Sequence, residues 1–81
     1  MKPYKTLKLK KETAGEYKAS KVIDGVEYEV RASLMDDYKS FSYTFTRLSD
    51  SHSFSDGWYG MRLKDIKNTC WSDVVQTLND N

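Results

Sequence analysis

One cysteine cannot close a disulfide within the chain, and one cysteine with one histidine falls short of the four protein ligands of a structural zinc site. Stability must therefore come from packing. No apolar run is longer than two or three residues, which leaves nothing to span a bilayer. The Met1-Lys2-Pro3 start lacks the apolar stretch of a secretory signal, so the sequence reads as cytoplasmic and away from membranes. The four glycines fall at 15, 25, 57 and 60, a spacing that suits turns. They form neither a Gly-x-Gly-x-x-Gly fingerprint nor a Walker loop. With 81 residues, one domain spanning 1–81 is expected, too small to house a large cofactor cleft.

Net charge is also scarce, at +1, but it is unevenly spread. Residues 1–21 hold seven lysines against two glutamates, whereas residues 22–40 hold two basic against five acidic side chains. A basic front of this kind either keeps exposed strands from sticking to other chains or offers cations to phosphate. Lys8, Lys10, Lys11, Lys18 and Lys21 are the candidates for a nucleic-acid contact. With 38% hydrophobic residues and two Trp, six Tyr and three Phe, the chain has enough apolar matter to fold.

Alternation dominates the first two thirds. Tyr4 to Lys10 reads as a first strand at about 4–10, and Lys11 to Gly15 as a turn after it. Asp24-Gly25 sits between two alternating runs, the signature of a type I′ hairpin joining strands at 16–23 and 26–34. That turn sets Ile23 opposite Val26, Lys21 opposite Tyr28, Ala19 opposite Val30 and Tyr17 opposite Ala32 on a mostly apolar face. Phe41-Ser42-Tyr43-Thr44-Phe45-Thr46 opens a fourth strand at 41–48, with its aromatics inward. Ser49 to Gly57 reads as a polar loop, and 58–62 is the candidate for a short fifth strand.

The tail changes period. Leu63, Ile66, Cys70, Val74 and Leu78 recur at helical spacing. Either one helix covers 64–79, or a short turn at 63–67 precedes a capped helix at 70–79; the poor helix interior at Asn68-Thr69 favours the second. The expectation is thus an α+β fold, a meander-like antiparallel sheet of four to five strands packed on one face by a C-terminal helix.

Chemistry-bearing residues are sparse. His52 lies between Asp50 and Asp56, but the spacing matches no metal or catalytic motif, and a solvated loop histidine is the simpler reading. Cys70 lies on the helix stripe, away from the sole histidine, and reads as a small core residue rather than a nucleophile. Ser51, Ser53 and Ser55 lack the Gly-x-Ser-x-Gly elbow. No enzyme activity, cofactor or metal is expected. Phe54, Trp58 and Tyr59 are the better lead, because loop aromatics on a rigid sheet serve as interface anchors; the rival reading has Phe54 and Trp58 capping a small core.

In size, in its Lys/Asp/Ser/Tyr-rich composition and in its lack of catalytic motifs, the chain resembles small accessory proteins of bacteriophages and mobile elements. The resemblance covers no specific motif and assigns no residue a role. It implies a protein that binds and inhibits a host protein. The function expected is therefore a non-enzymatic protein-binding module, with a nucleic-acid-binding module and a homodimer as the alternatives.

Overall fold

A computed structural model describes residues 6–80. Five strands form one antiparallel sheet in sequence order: β1 (Lys10–Thr13), β2 (Glu16–Ile23), β3 (Val26–Leu34), β4 (Phe41–Arg47) and β5 (His52–Gly57). Two helices follow, α1 (Leu63–Lys67) and α2 (Trp71–Asp80), and α2 packs on one face of the sheet against β4 and β5. The architecture is the α+β meander expected from the alternation.

The β2–β3 hairpin forms in the register that Asp24-Gly25 dictates, from Ile23 opposite Val26 to Tyr17 opposite Ala32. Both turn residues have positive φ, +52° and +80°, the backbone a type I′ turn requires. Because pairing partners share a face, register alone sorts the side chains. Ala19, Val30, Phe45 and Phe54 line up across β2 to β5 on the covered side. From the helical layer Leu7, Met61, Ile66, Trp71, Val74 and Leu78 close over that side. Each fully buried Val or Leu contributes about 1.5–3 kcal/mol of burial free energy.

Two boundaries differ from expectation. The strand expected at 4–10 begins in residues outside those described, and sheet pairing starts only at Lys10. Leu7 is buried against the helical layer instead, its N–H donating to the Thr69 carbonyl at 3.0 Å, while Thr6 bridges Cys70. Apolar alternation there served the helix side, not the sheet. The polar stretch Lys10 to Thr13 pairs with β2 across an Ala14-Gly15 turn, with Gly15 at φ +80°. A Cβ at Gly15 would lie 3.0 Å from that of Leu34, so the turn also sits tightly on β3.

The fifth strand is the second difference. It lies at 52–57, within the segment read as a polar loop, and not at 58–62. Ser53 and Ser55 face the open side while His52, Phe54 and Asp56 alternate with them, so a period of two was present but masked by polarity. Trp58 to Arg62 instead forms an irregular segment, in which the Met61 N–H bonds the Trp58 carbonyl. At the C-terminus the helix divides as favoured, with Asn68 capping α1 and Asp73 in the first turn of α2.

Candidate binding surface

At one end of the sheet two connections meet, the β3–β4 loop (residues 35–40) and the segment 58–62 that leads into α1. The Phe41 N–H donates to the Met61 carbonyl at 3.0 Å, and the Tyr59 hydroxyl donates to Asp36 Oδ1 at 2.9 Å. Asp37 organises the join. Its Oδ1 accepts the backbone N–H groups of Lys39 and Ser40, and its Oδ2 accepts the Ser40 hydroxyl at 2.6 Å. The Ser40 Oγ in turn accepts the Gly60 N–H. Ser40 is the one buried polar side chain among the described residues, and its hydroxyl both donates and accepts. Those hydrogen bonds, led by the one from the Ser40 hydroxyl, hold the Asp37 carboxyl below its ordinary value.

The two joined connections display aromatic side chains outward. Tyr38 is 82% exposed, Tyr59 65% and Trp58 54%. Tyr38 also has φ +59°, a conformation that bulky residues rarely adopt. Strain of this kind persists only where the surroundings over-determine it, here through the Tyr38 N–H bond to the Met35 carbonyl and the neighbouring Asp37 turn. Beside the aromatics a shallow depression of about 380 Å³ is lined by Asp37, Lys39, Ser40, Gly60 and Arg62.

Of the residues expected to contact a partner, Trp58 and Tyr59 lie on this surface. Phe54 does not. It faces the covered side of β5, half-buried, with its ring 6.3 Å from that of Phe45 and 6.4 Å from that of Tyr43. Tyr38, Asp37 and Ser40 were missed from the sequence. The Asp-x-x-Ser spacing was the available signal, because a carboxylate so placed captures backbone N–H groups and builds a turn.

The five candidate lysines separate by face. Lys8, Lys10 and Lys18 line a second shallow depression, of about 320 Å³, with Glu12 and Ser20. Lys11 and Lys21 pair with Tyr17 and Tyr28 on the opposite side of the sheet. Lys18 Nζ lies 3.3 Å from Glu29 Oε2, and Arg31 Nε bonds Glu29 Oε1 at 2.7 Å. Partial burial pushes the Glu29 carboxyl up, but the bonds from Arg31 and Lys18 outweigh it and lower it overall. The open face thus mixes cations with carboxylate, and hydroxyls such as the Thr44–Ser55 pair at 2.9 Å fill the remainder.

His52 begins β5. Its backbone N–H donates to Asp50 Oδ1, while Asp50 also takes a two-pronged bond from Arg47. The Arg47 guanidinium and the His52 N–H hold the Asp50 carboxyl at about 2. Arg47 reaches Asn79 as well, tying the β4–β5 turn to α2. The buried His52 Nε2 has no hydrogen-bond partner among the described residues. No group of three or more His, Cys, Asp or Glu among the described residues could hold a metal ion, and Cys70 is buried beside the core. No described helix is long and apolar enough to cross a membrane. No protein-family model, curated protein or solved structure matches the chain.

Proposed function

We propose that this protein is a non-enzymatic, cytoplasmic binding module that captures another protein through the end of its sheet, in the manner of an inhibitor. The observation that carries this reading is the display of Tyr38, Trp58 and Tyr59 on two adjoining loops held together by the hydrogen bonds that the buried Ser40 makes to Asp37 and Gly60. Large amphipathic side chains that are already positioned lose little conformational freedom on binding, and Trp and Tyr dominate interface hot spots. The mixed charge around them, with Asp36 and Asp37 beside Lys39 and Arg62, suits a protein surface better than a phosphate backbone.

The test compares variants in affinity capture from the source cell. Trp58→Ala with Tyr59→Ala is expected to weaken capture of the specific partner by at least about thirtyfold, a hot-spot loss of ~2 kcal/mol. Lys8→Ala with Lys10→Ala is expected to leave it unchanged. The reverse pattern, together with salt-sensitive binding of labelled oligonucleotides, would favour the nucleic-acid reading instead.

A further inference from the structure

The two edges of the sheet are built differently. The β1 edge is short, carries Lys10, Lys11 and Glu12, and is broken by a register shift between Lys11 and Thr13. Charges and bulges of this sort keep an edge from recruiting another chain. The β5 edge has fewer of these guards, Asp56 being its one acidic side chain. It pairs with β4 without interruption from His52 to Gly57, contains no lysine, arginine or proline, and leaves alternate backbone groups facing outward, with the N–H groups of its two end residues, His52 and Gly57, bonded to the Asp50 and Asp56 carboxylates. The apolar row Ala19–Val30–Phe45–Phe54 also runs out to this edge and ends there on the half-buried Phe54 ring.

The sequence of the edge is complementary to itself. In His52-Ser53-Phe54-Ser55-Asp56, an antiparallel second copy centred on Phe54 sets Phe54 against Phe54, Ser53 against Ser55, and His52 against Asp56 twice over. His52, Phe54 and Asp56 all lie on the covered face, since they pair in turn with Arg47, Phe45 and Tyr43. The apolar row would continue without a break into the second molecule, flanked by an imidazole–carboxylate pair on each side. Directly opposed side chains have Cβ atoms about 4.5–5.5 Å apart, close enough for both contacts. A shift of two residues either way would place Phe54 opposite His52 or Asp56 and lose the match.

We infer that β5 is a dimerisation edge, on which a second copy of this chain adds by antiparallel β5–β5 pairing about a twofold axis at Phe54, to give a continuous ten-stranded sheet. The contact is isologous, so it closes after two copies. It uses main-chain bonds for affinity and the His52–Asp56 pairs for register.

The test is the molar mass of the purified full chain by light scattering at pH 6, over a concentration series reaching about 1 mM, the weak end of specific association. Wild type is expected to reach twice the 9.4 kDa of the single chain. D56K alters an exposed carboxylate and is expected to stay at the single-chain mass, as is H52E, with circular dichroism confirming the fold of each. Mixed in equal amounts the two are expected to double in mass again, because each then offers the charge its partner lacks. Wild type that stays monomeric throughout, a D56K chain that still doubles, or folded variants whose mixture does not recover the doubled mass would each overturn the inference.

Discussion

Aromatic side chains serve opposite purposes in two regions of this molecule. On the covered face, Tyr28, Tyr43, Phe45 and Phe54 alternate along strands and share a core with Trp71 of α2. Their backbone is regular extended chain. At the end of the sheet Tyr38, Trp58 and Tyr59 lie on irregular backbone, face solvent, and in the case of Tyr38 hold a strained positive φ. Residue type does not separate the two groups, since tyrosine and tryptophan occur in both. What separates them is whether the neighbouring residues alternate, because only a regular pleat or helix delivers a side chain repeatedly to one face.

The difference can be tested by damaging each region in turn. Leu78→Ala removes a fully buried side chain from the helical layer and is expected to cost about 2–5 kcal/mol, a large part of what so small a core supplies. Chemical denaturation would show a much lower midpoint or an unfolded chain. Trp58→Ala and Tyr59→Ala, by contrast, are expected to move stability by no more than about 0.5 kcal/mol while weakening capture, since neither is buried. A loss of folding in those variants would show that the loop end belongs to the core after all.

Tyr38→Gly sharpens the comparison because its two effects should have opposite signs. Relief of the left-handed conformation is worth about 1–2 kcal/mol. The extra unfolded-state freedom of glycine takes back roughly 0.5–1 kcal/mol. Net stabilisation of up to about 1.5 kcal/mol, measured by denaturant midpoint, is therefore expected alongside weaker partner capture. A destabilised variant would mean that the Tyr38 side chain contributes packing its exposure does not suggest.

The smallest expected effect concerns Asp50 at the other end of the sheet. Its folded-state value of about 2 lies below the ordinary carboxylate value, so the stability it contributes is present above roughly pH 4. It is lost as the pH falls toward 2. Asp50→Asn should flatten the acid limb of a melting-temperature profile between those limits and change little at neutral pH, because the pair with Arg47 is exposed.

Legibility followed regularity. The β2–β3 hairpin could be placed residue by residue because Asp24-Gly25 fixes both turn type and register. The break before α2 was readable from Asn68-Thr69, and the inward aromatics of β4 from their alternation with hydroxyls. Where signals conflicted, reading failed. Leu7 alternates with Leu9 like a strand residue yet packs on the helical layer, and β5 is so polar that its single aromatic looked like a loop ornament. Of the surface at the end of the sheet, Trp58 and Tyr59 were visible; Tyr38 was not, because nothing local to it reveals that the chain returns at 58–62.

The α+β class, the central hairpin with the division of its faces, and the scarcity of cysteine and histidine were all open to reading from the residues. Each of these follows from local spacing and composition, which act over a few residues. The joining of two loops into one aromatic surface by Ser40 and Gly60, twenty residues apart, arose in the folded chain alone. Packing also put β5, with its His52-Ser53-Phe54-Ser55-Asp56 stretch, at the edge of the sheet. Those features depend on which distant segments become neighbours, and that is settled by packing the whole chain around one core.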